Sequence, residues 1–209
     1  MVIPLAASMA RARAARGCYR RAMTTIRRLG PPRDGAPVAL VLPGAGYTAQ
    51  APLLWWSAAA LRESGYELWG VDWHDDAAAG VGDPHDFVDA HVARALEALP
   101  AEPVVVLAKS LGTFALPRFA RTGVRAAWLT PILTDERVAT ALRGASSDHL
   151  AVGGGADPSW VPSTVAGTQA LSIEVPGADH GLEEGGWRAS AFSQAGVVER
   201  VVAHLLSAG

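Results

Sequence analysis

Val104-Val105-Val106-Leu107-Ala108-Lys109-Ser110-Leu111-Gly112 is the stretch on which the reading of this 209-residue chain turns. Its first five residues form a short, wholly apolar run, as expected of a strand buried on both faces. A serine follows almost at once, and the residues behind it read as a helix to about Arg121, with a stop at Gly123. A nucleophilic serine at such a junction needs a sharp turn that lifts its hydroxyl clear of the backbone at the strand's C-terminal end. Small residues two before and two after it let strand and helix approach that closely. Gly112 meets this need, and Ala108 carries one methyl more than the commoner glycine. The helix start behind Ser110 also offers free N–H groups that favour negative charge. Taken alone, A-x-S-x-G describes an ordinary serine helix cap equally well, so the reading depends on what surrounds it.

Working outward, the same alternation recurs. Residues 38–42 read as a buried strand, 43–46 as a Pro/Gly turn, 51–63 as a helix and 66–71 as a second strand. Residues 72–82 read as a polar, alanine-rich loop. Asp83-Pro84 has the form of a helix cap with proline at the first helical position, opening a helix to Leu99. Further strands are expected at 126–129, 150–153 and 169–175, and further helices at 135–143 and 195–206. Short apolar strands joined by helices require crossover connections. The expected fold class is therefore α/β: a three-layer sandwich with a mostly parallel sheet of about six strands and helices on both faces. No repeat or low-complexity linker follows residue 35, so residues 23–209 read as one domain behind a basic extension, 1–22.

Three sites at strand ends carry chemistry. Gly153-Gly154-Gly155-Ala156-Asp157-Pro158-Ser159-Trp160 follows the fifth strand, and Pro176-Gly177-Ala178-Asp179-His180-Gly181 follows the sixth. With Ser110 the chain order is Ser, Asp, His, each in a turn at the edge where open parallel sheets place their active sites. Such chemistry needs a base for the serine proton and an acid that holds the imidazole in the right tautomer. A tetrahedral oxyanion needs two fixed N–H donors. Leu111 can supply one, and Ala45, in the glycine-rich loop after the first strand, the other. As single residues, Asp157 could be a helix cap before Pro158 and His180 a surface loop residue. The glycine loop could be a plain tight turn, but it lacks the spacing of a dinucleotide fingerprint and the lysine of a P-loop.

In these three motifs, P-G-A-G, K-S-L-G and G-A-D-H-G, residues 37–209 resemble the α/β-hydrolase family, in particular its small serine hydrolases. The resemblance implies Ser110 as nucleophile, Asp157 as acid, His180 as base, and Ala45 and Leu111 as oxyanion donors. It implies six parallel strands, with at most a remnant of the family's first two antiparallel strands in residues 23–36. Pro117 inside the helix behind the nucleophile predicts a kinked or short helix. The family usually inserts a cap where this chain has only residues 130–136, so an open, shallow pocket is expected, lined by Tyr47, Trp73, Ile132 and Trp160. The implied activity is hydrolysis of an ester or thioester of a small substrate through an acyl-enzyme. The alternative is a catalytically inactive member of the fold that binds a ligand or a protein. Dehalogenase and epoxide hydrolase chemistry is disfavoured, since related enzymes of those kinds carry aspartate at the nucleophile position.

Charge and composition bound the rest. The formal net charge is −2, but Arg11, Arg13, Arg16, Arg20 and Arg21 all precede Met23 and no acid precedes Asp34, so the remainder is acidic. No nucleic-acid partner is expected, and no apolar run is long enough to span a membrane. Residues 1–22 read as an exposed amphipathic helix or as the product of a start codon chosen upstream of Met23. A transit-like or basic binding tail is the other reading. Cys18 is the only cysteine, which excludes an internal disulfide and fits a cytoplasmic location. Lys109, the only lysine, adjoins the nucleophile. It could assist deprotonation, meet an anionic substrate group or turn sideways into a salt bridge. Asp72, His74, Asp75, Asp76, Asp83, His85, Asp86, Asp89 and His91 crowd one segment. Their spacing matches no metal-ligand pattern and suits a solvated loop and a helix N-terminus. No metal and no cofactor are expected, and the partner is a small acyl substrate.

Overall fold

The central strands of this chain are apolar on both faces, and the computed structural model shows what covers each face. It describes residues 25–207; the basic segment, with Cys18, lies outside them. The strands are β1 (Thr25–Arg28), β2 (Val38–Leu42), β3 (Glu67–Asp72), β4 (Pro103–Lys109), β5 (Arg125–Leu129), β6 (His149–Gly154) and β7 (Leu171–Val175). They form one seven-stranded sheet in the order β1-β3-β2-β4-β5-β6-β7. Every pairing from β3 to β7 is parallel; β1 alone runs antiparallel, on the edge beside β3. The sheet thus has six parallel strands, as expected, and the remnant before residue 36 is a real seventh strand. That strand is mostly exposed and has no apolar pattern, so it leaves no periodic signal.

Alternate residues along a strand point to opposite faces, and two cores result. Leu40, Leu42, Val106, Ala108 and Trp128 face one core, which is closed by α3 (Pro84–Ala98), a 3₁₀ helix (Ser110–Ala115), α4 (Leu116–Phe119) and α5 (Glu136–Arg143). Ala39, Val41, Val105, Leu107 and Leu129 face the other, under α1 (Pro52–Glu63) and α7 (Trp187–Leu206). Short helices α2 (His74–Ala79) and α6 (Pro162–Val165) complete the chain. Burying one Leu or Val stabilises by about 1.5–3 kcal/mol, so this double-sided burial holds the strand ends that carry the site.

The segment 72–82 and the start of the last helix depart from expectation, while the helix behind Ser110 is short, as Pro117 predicts. The loop at 72–82 contains α2, whose residues are only half-buried or exposed. The last helix begins at Trp187, eight residues before the expected start; its first turn exposes Trp187 and a later turn exposes Phe192, which hides the helical stripe. The helix behind Ser110 is short and irregular. It is a 3₁₀ turn that passes into four α-helical residues at Pro117, where a missing N–H and the ring bulk disfavour a long α-helix.

Candidate active site

Ser110 sits where β4 ends and the 3₁₀ helix begins, with φ of 51°. This left-handed conformation costs an ordinary residue about 1–2 kcal/mol and turns the side chain out from the strand edge. The turn is possible because Gly112 has no Cβ: one placed there would lie 2.3 Å from the Leu42 carbonyl oxygen. The Gly112 N–H donates to the Pro43 carbonyl at 3.0 Å, tying the turn to the loop after β2. The Thr113 hydroxyl donates to the Ser110 carbonyl at 2.6 Å and closes the turn from below.

The other two side chains arrive from the ends of β6 and β7. Asp157 is held by a turn in which its N–H donates to Gly154 O at 3.0 Å and its Oδ1 accepts from the Ser159 N–H at 2.8 Å. Its side chain is 1 % exposed. Its other oxygen, Oδ2, accepts from His180 Nδ1 at 2.7 Å, which puts the proton on Nδ1 and leaves Nε2 as an acceptor. That Nε2 lies 2.9 Å from Ser110 Oγ. The His180 side chain is 39 % exposed, so its free edge faces solvent where a leaving group or water could approach. Two devices shape this loop. The Asp179 carboxylate accepts from the N–H groups of Gly181 (2.7 Å) and Glu183 (3.0 Å). Gly154 lets the strand end pass close below it, since a Cβ there would lie 2.2 Å from Ala178 O.

Ala45 and Leu111 lie on either side of the serine turn. A Cβ on Gly44 would lie 3.4 Å from Ser110 Cβ, so the glycine loop runs directly beside Ser110. The Ala45 N–H makes no hydrogen bond among the described residues. The Leu111 N–H belongs to the first helical turn, where intrahelical acceptors are lacking. The loop is propped from behind: Trp73 Nε1 donates to Gly44 O at 3.2 Å, and His74 Nδ1 lies 3.1 Å from Ala45 O. Sequence reasoning missed His74 and Asp179 in these roles because both act on backbone groups that no side-chain motif reveals.

No protein-family model and no curated protein matches the sequence. Solved structures do match. An α/β serine hydrolase homologue from Coxiella burnetii superposes with a TM-score of 0.60 at 17% identity, over 87% of this chain and 90% of that one. A serine hydrolase without a lid from Xanthomonas campestris gives 0.61 at 18% identity, over 89% and 90%. A monoacylglycerol lipase from Paleococcus ferrophilus gives 0.60 at 14% identity, over 87% and 99%. This chain has the α/β-hydrolase fold. In this instance of it only a short loop separates β5 from α5, with Asp135 capping α5 through bonds to the N–H groups of Arg137 and Val138. No cap subdomain lies between them.

Within the α/β-hydrolase fold of this chain, the four residues expected to line the pocket fare differently. Ile132 is half-buried, and its N–H lies 3.4 Å from Thr113 Oγ1, next to the serine turn. Tyr47 is half-buried. Its hydroxyl accepts from the Leu53 N–H at 2.9 Å, and burial raises its pKa. Trp73 is 1 % exposed and Trp160 6 %. Trp73 supports the glycine loop, and Trp160 donates to Glu174 at 2.8 Å and packs on Gly153. Both prop the walls of the site from behind. The acid-and-histidine segment is likewise dispersed into separate tasks. Asp83 caps α3, His85 Nε2 pairs with Asp135 at 3.0 Å, and His91 Nε2 with Asp76 at 3.3 Å. Among the described residues no group of three His, Cys, Asp or Glu side chains could hold a metal ion. Lys109 forms no salt bridge among the described residues: its Nζ donates to Thr130 Oγ1 and to the His180 carbonyl, each at 2.8 Å.

Proposed function

We propose that this protein is a serine hydrolase that cleaves an ester or thioester of a small acyl substrate through an acyl-enzyme. The observation that carries the reading is the unbroken chain Ser110 Oγ, His180 Nε2, His180 Nδ1, Asp157 Oδ2, with links of 2.9 and 2.7 Å. Both distances lie within the range in which a positioned base takes a proton during attack.

Ser110 Oγ adds to the substrate carbonyl as its proton passes to His180 Nε2. The buried Asp157 carboxylate holds the ring and stabilises the imidazolium. The carbonyl oxygen becomes an oxyanion that receives N–H bonds from Leu111 and Ala45. His180 then returns the proton to the departing alcohol or thiol, leaving Ser110 acylated. A water molecule, deprotonated by the same ring, attacks the acyl carbon; collapse of the second tetrahedral intermediate releases the acid and restores the serine. Without a cap, acyl group and leaving group are bound by loops alone, which suits small substrates of low steric demand.

A fluorophosphonate probe tests this reading. Labelling of the wild type that vanishes in Ser110→Ala and in His180→Ala is expected, together with turnover of short acyl esters or thioesters in a graded panel. A folded wild-type protein that takes no label would instead identify the fold as a binding scaffold and overturn the reading.

A further inference from the structure

Lys109 is 2 % exposed, a rare place for the only lysine of a chain. Burying an ammonium costs several kcal/mol unless it finds partners, and these partners come from three separate loops. The Thr130 hydroxyl follows β5, in a residue whose φ of 44° is itself unusual. The His180 carbonyl belongs to the loop after β7. The Tyr47 ring, from the loop after β2, lies with its centroid 4.7 Å from Nζ, within cation–π range. The backbone that bears Lys109 also bears Ser110, so the ammonium spans the short distance from the nucleophile's own strand to the main chain of the base.

We propose that Lys109 is the positioning residue of this site, a charged strut that holds the His180 main chain so that Nε2 stays within reach of Ser110 Oγ. The proposal rests on the reading of Ser110 and His180 as the reacting pair. Lys109 touches no reacting atom. Its effect is on how often the imidazole occupies the geometry from which it can accept the proton, and a displacement of about 1 Å at such a pair costs on the order of 100-fold in rate. Asp157 fixes the ring's Nδ1, while the backbone of residues 179–181 is held by the Asp179 carboxylate, by Gln194, whose Nε2 donates to Gly181 O at 3.1 Å, and by Lys109, which alone among the described residues binds the His180 carbonyl.

The strut depends on its charge, and so on pH. Burial lowers the Lys109 pKa to about 8, against the opposing pull of the Asp157 and Asp179 carboxylates. The other titratable residues in contact with it are His180, through its carbonyl, and Tyr47, through its ring, with Glu183 near the Tyr47 phenol. Above about pH 8 the ammonium loses its proton, the two charge-assisted bonds weaken to neutral ones and the cation–π contact is lost. Activity should then fall on the alkaline side.

Lys109→Met keeps the apolar stem and removes the charge. The expected result is a fall in kcat, and in the rate of fluorophosphonate labelling, of roughly 10- to 100-fold, with KM changed less than about twofold. The alkaline limb near pH 8 should be present in the wild type and absent from the variant. Unchanged labelling rate and an unchanged limb, with Ser110→Ala and His180→Ala both unlabelled, would overturn the role of Lys109 while leaving the hydrolase reading intact. No label on folded wild type would overturn both. If Lys109→Met does not fold, NMR of the wild type decides. The His180 imidazole resonances should show an inflection near pH 8 as Lys109 titrates, and a flat profile from pH 7 to 10 would overturn the proposal.

Discussion

Asp157 accepts from His180 Nδ1 with one oxygen and from the Ser159 N–H with the other, so its two jobs can be separated. Asp157→Asn, with its amide oxygen toward Ser159, keeps the turn but presents an NH₂ group to the ring. The ring must then carry its proton on Nε2, which can no longer accept from Ser110. The expected outcome is a loss of roughly 10³- to 10⁴-fold in kcat on a short acyl ester, with little change in KM and an unchanged melting temperature. A melting temperature lowered by many degrees would mean that the aspartate is structural first. At this scale Ser110, Asp157 and His180 could be read from the chain because each stands in a turn just beyond an apolar run, and the structure brings them into one hydrogen-bonded line. Lys109 could not be read so. Its partners are a hydroxyl 21 residues away and a carbonyl 71 residues away, and a carbonyl acceptor has no sequence signature. Trp73 and Trp160 mislead for a related reason: an aromatic beside a loop has the same appearance in sequence whether it lines a pocket or props its wall.

The junction of β4 with its 3₁₀ helix is the element on which the site depends, and Gly112 sets how closely it packs. A Cβ there would lie 2.3 Å from Leu42 O and 2.9 Å from Leu42 Cβ. Gly112→Ala must therefore push the helix off β2 and stretch the Gly112-to-Pro43 bond that steadies the glycine loop. Overpacking of this kind costs about 1–3 kcal/mol, and rigid backbone opposite the new methyl places it at the upper end. For a domain of this size that is a drop of roughly 6–12 °C in melting temperature, accompanied by loss of fluorophosphonate labelling. Gly123→Ala is the control, since nothing lies within 4 Å of its Cβ position; calorimetry should show it within about 0.5 kcal/mol of wild type. Elements with a clear boundary device were legible: the Asp83 cap with Pro84 marks α3, and β2 and β4 are unbroken apolar runs. Elements that carry little apolar periodicity, β1, α2 and the first two turns of α7, were not, because their places are set by what they pack against and by solvent rather than by a repeating pattern.

Across the whole molecule the two edges of the sheet have different pH behaviour. The edge that carries Ser110 includes Lys109, whose pKa burial lowers to about 8. The opposite edge, where β6 begins, buries His149 completely, stacked beside Trp128 with Trp128 Nε1 donating to His149 Nδ1 at 3.0 Å. That bond requires a neutral ring with its proton on Nε2, which has no hydrogen-bond partner among the described residues. A second proton would have to enter at Nδ1, directly against the indole N–H. Burial lowers the His149 pKa to about 4 and also lowers that of neighbouring His204. Here the folded pKa lies below the unfolded one. As pH falls below about 6.5 the unfolded chain takes up the proton first and stability declines, levelling off once pH passes the folded value near 4. For His149 alone this removes about 2 kcal/mol between pH 7.5 and 5, a range in which most carboxylates remain charged. The parallel order of the sheet followed from strand and helix alternation, but this acid sensitivity did not, since it arises from two side chains on neighbouring strands. His149→Gln keeps an acceptor for the indole and cannot titrate. Chemical denaturation should find it less stable than wild type at pH 7.5, yet with a slope between pH 7.5 and 5 that is flatter by about 2 kcal/mol. Parallel slopes for the two proteins would show that the acid loss originates elsewhere. Labelling of Ser110, at the other edge, should persist in the variant at pH 7.5 at the wild-type rate.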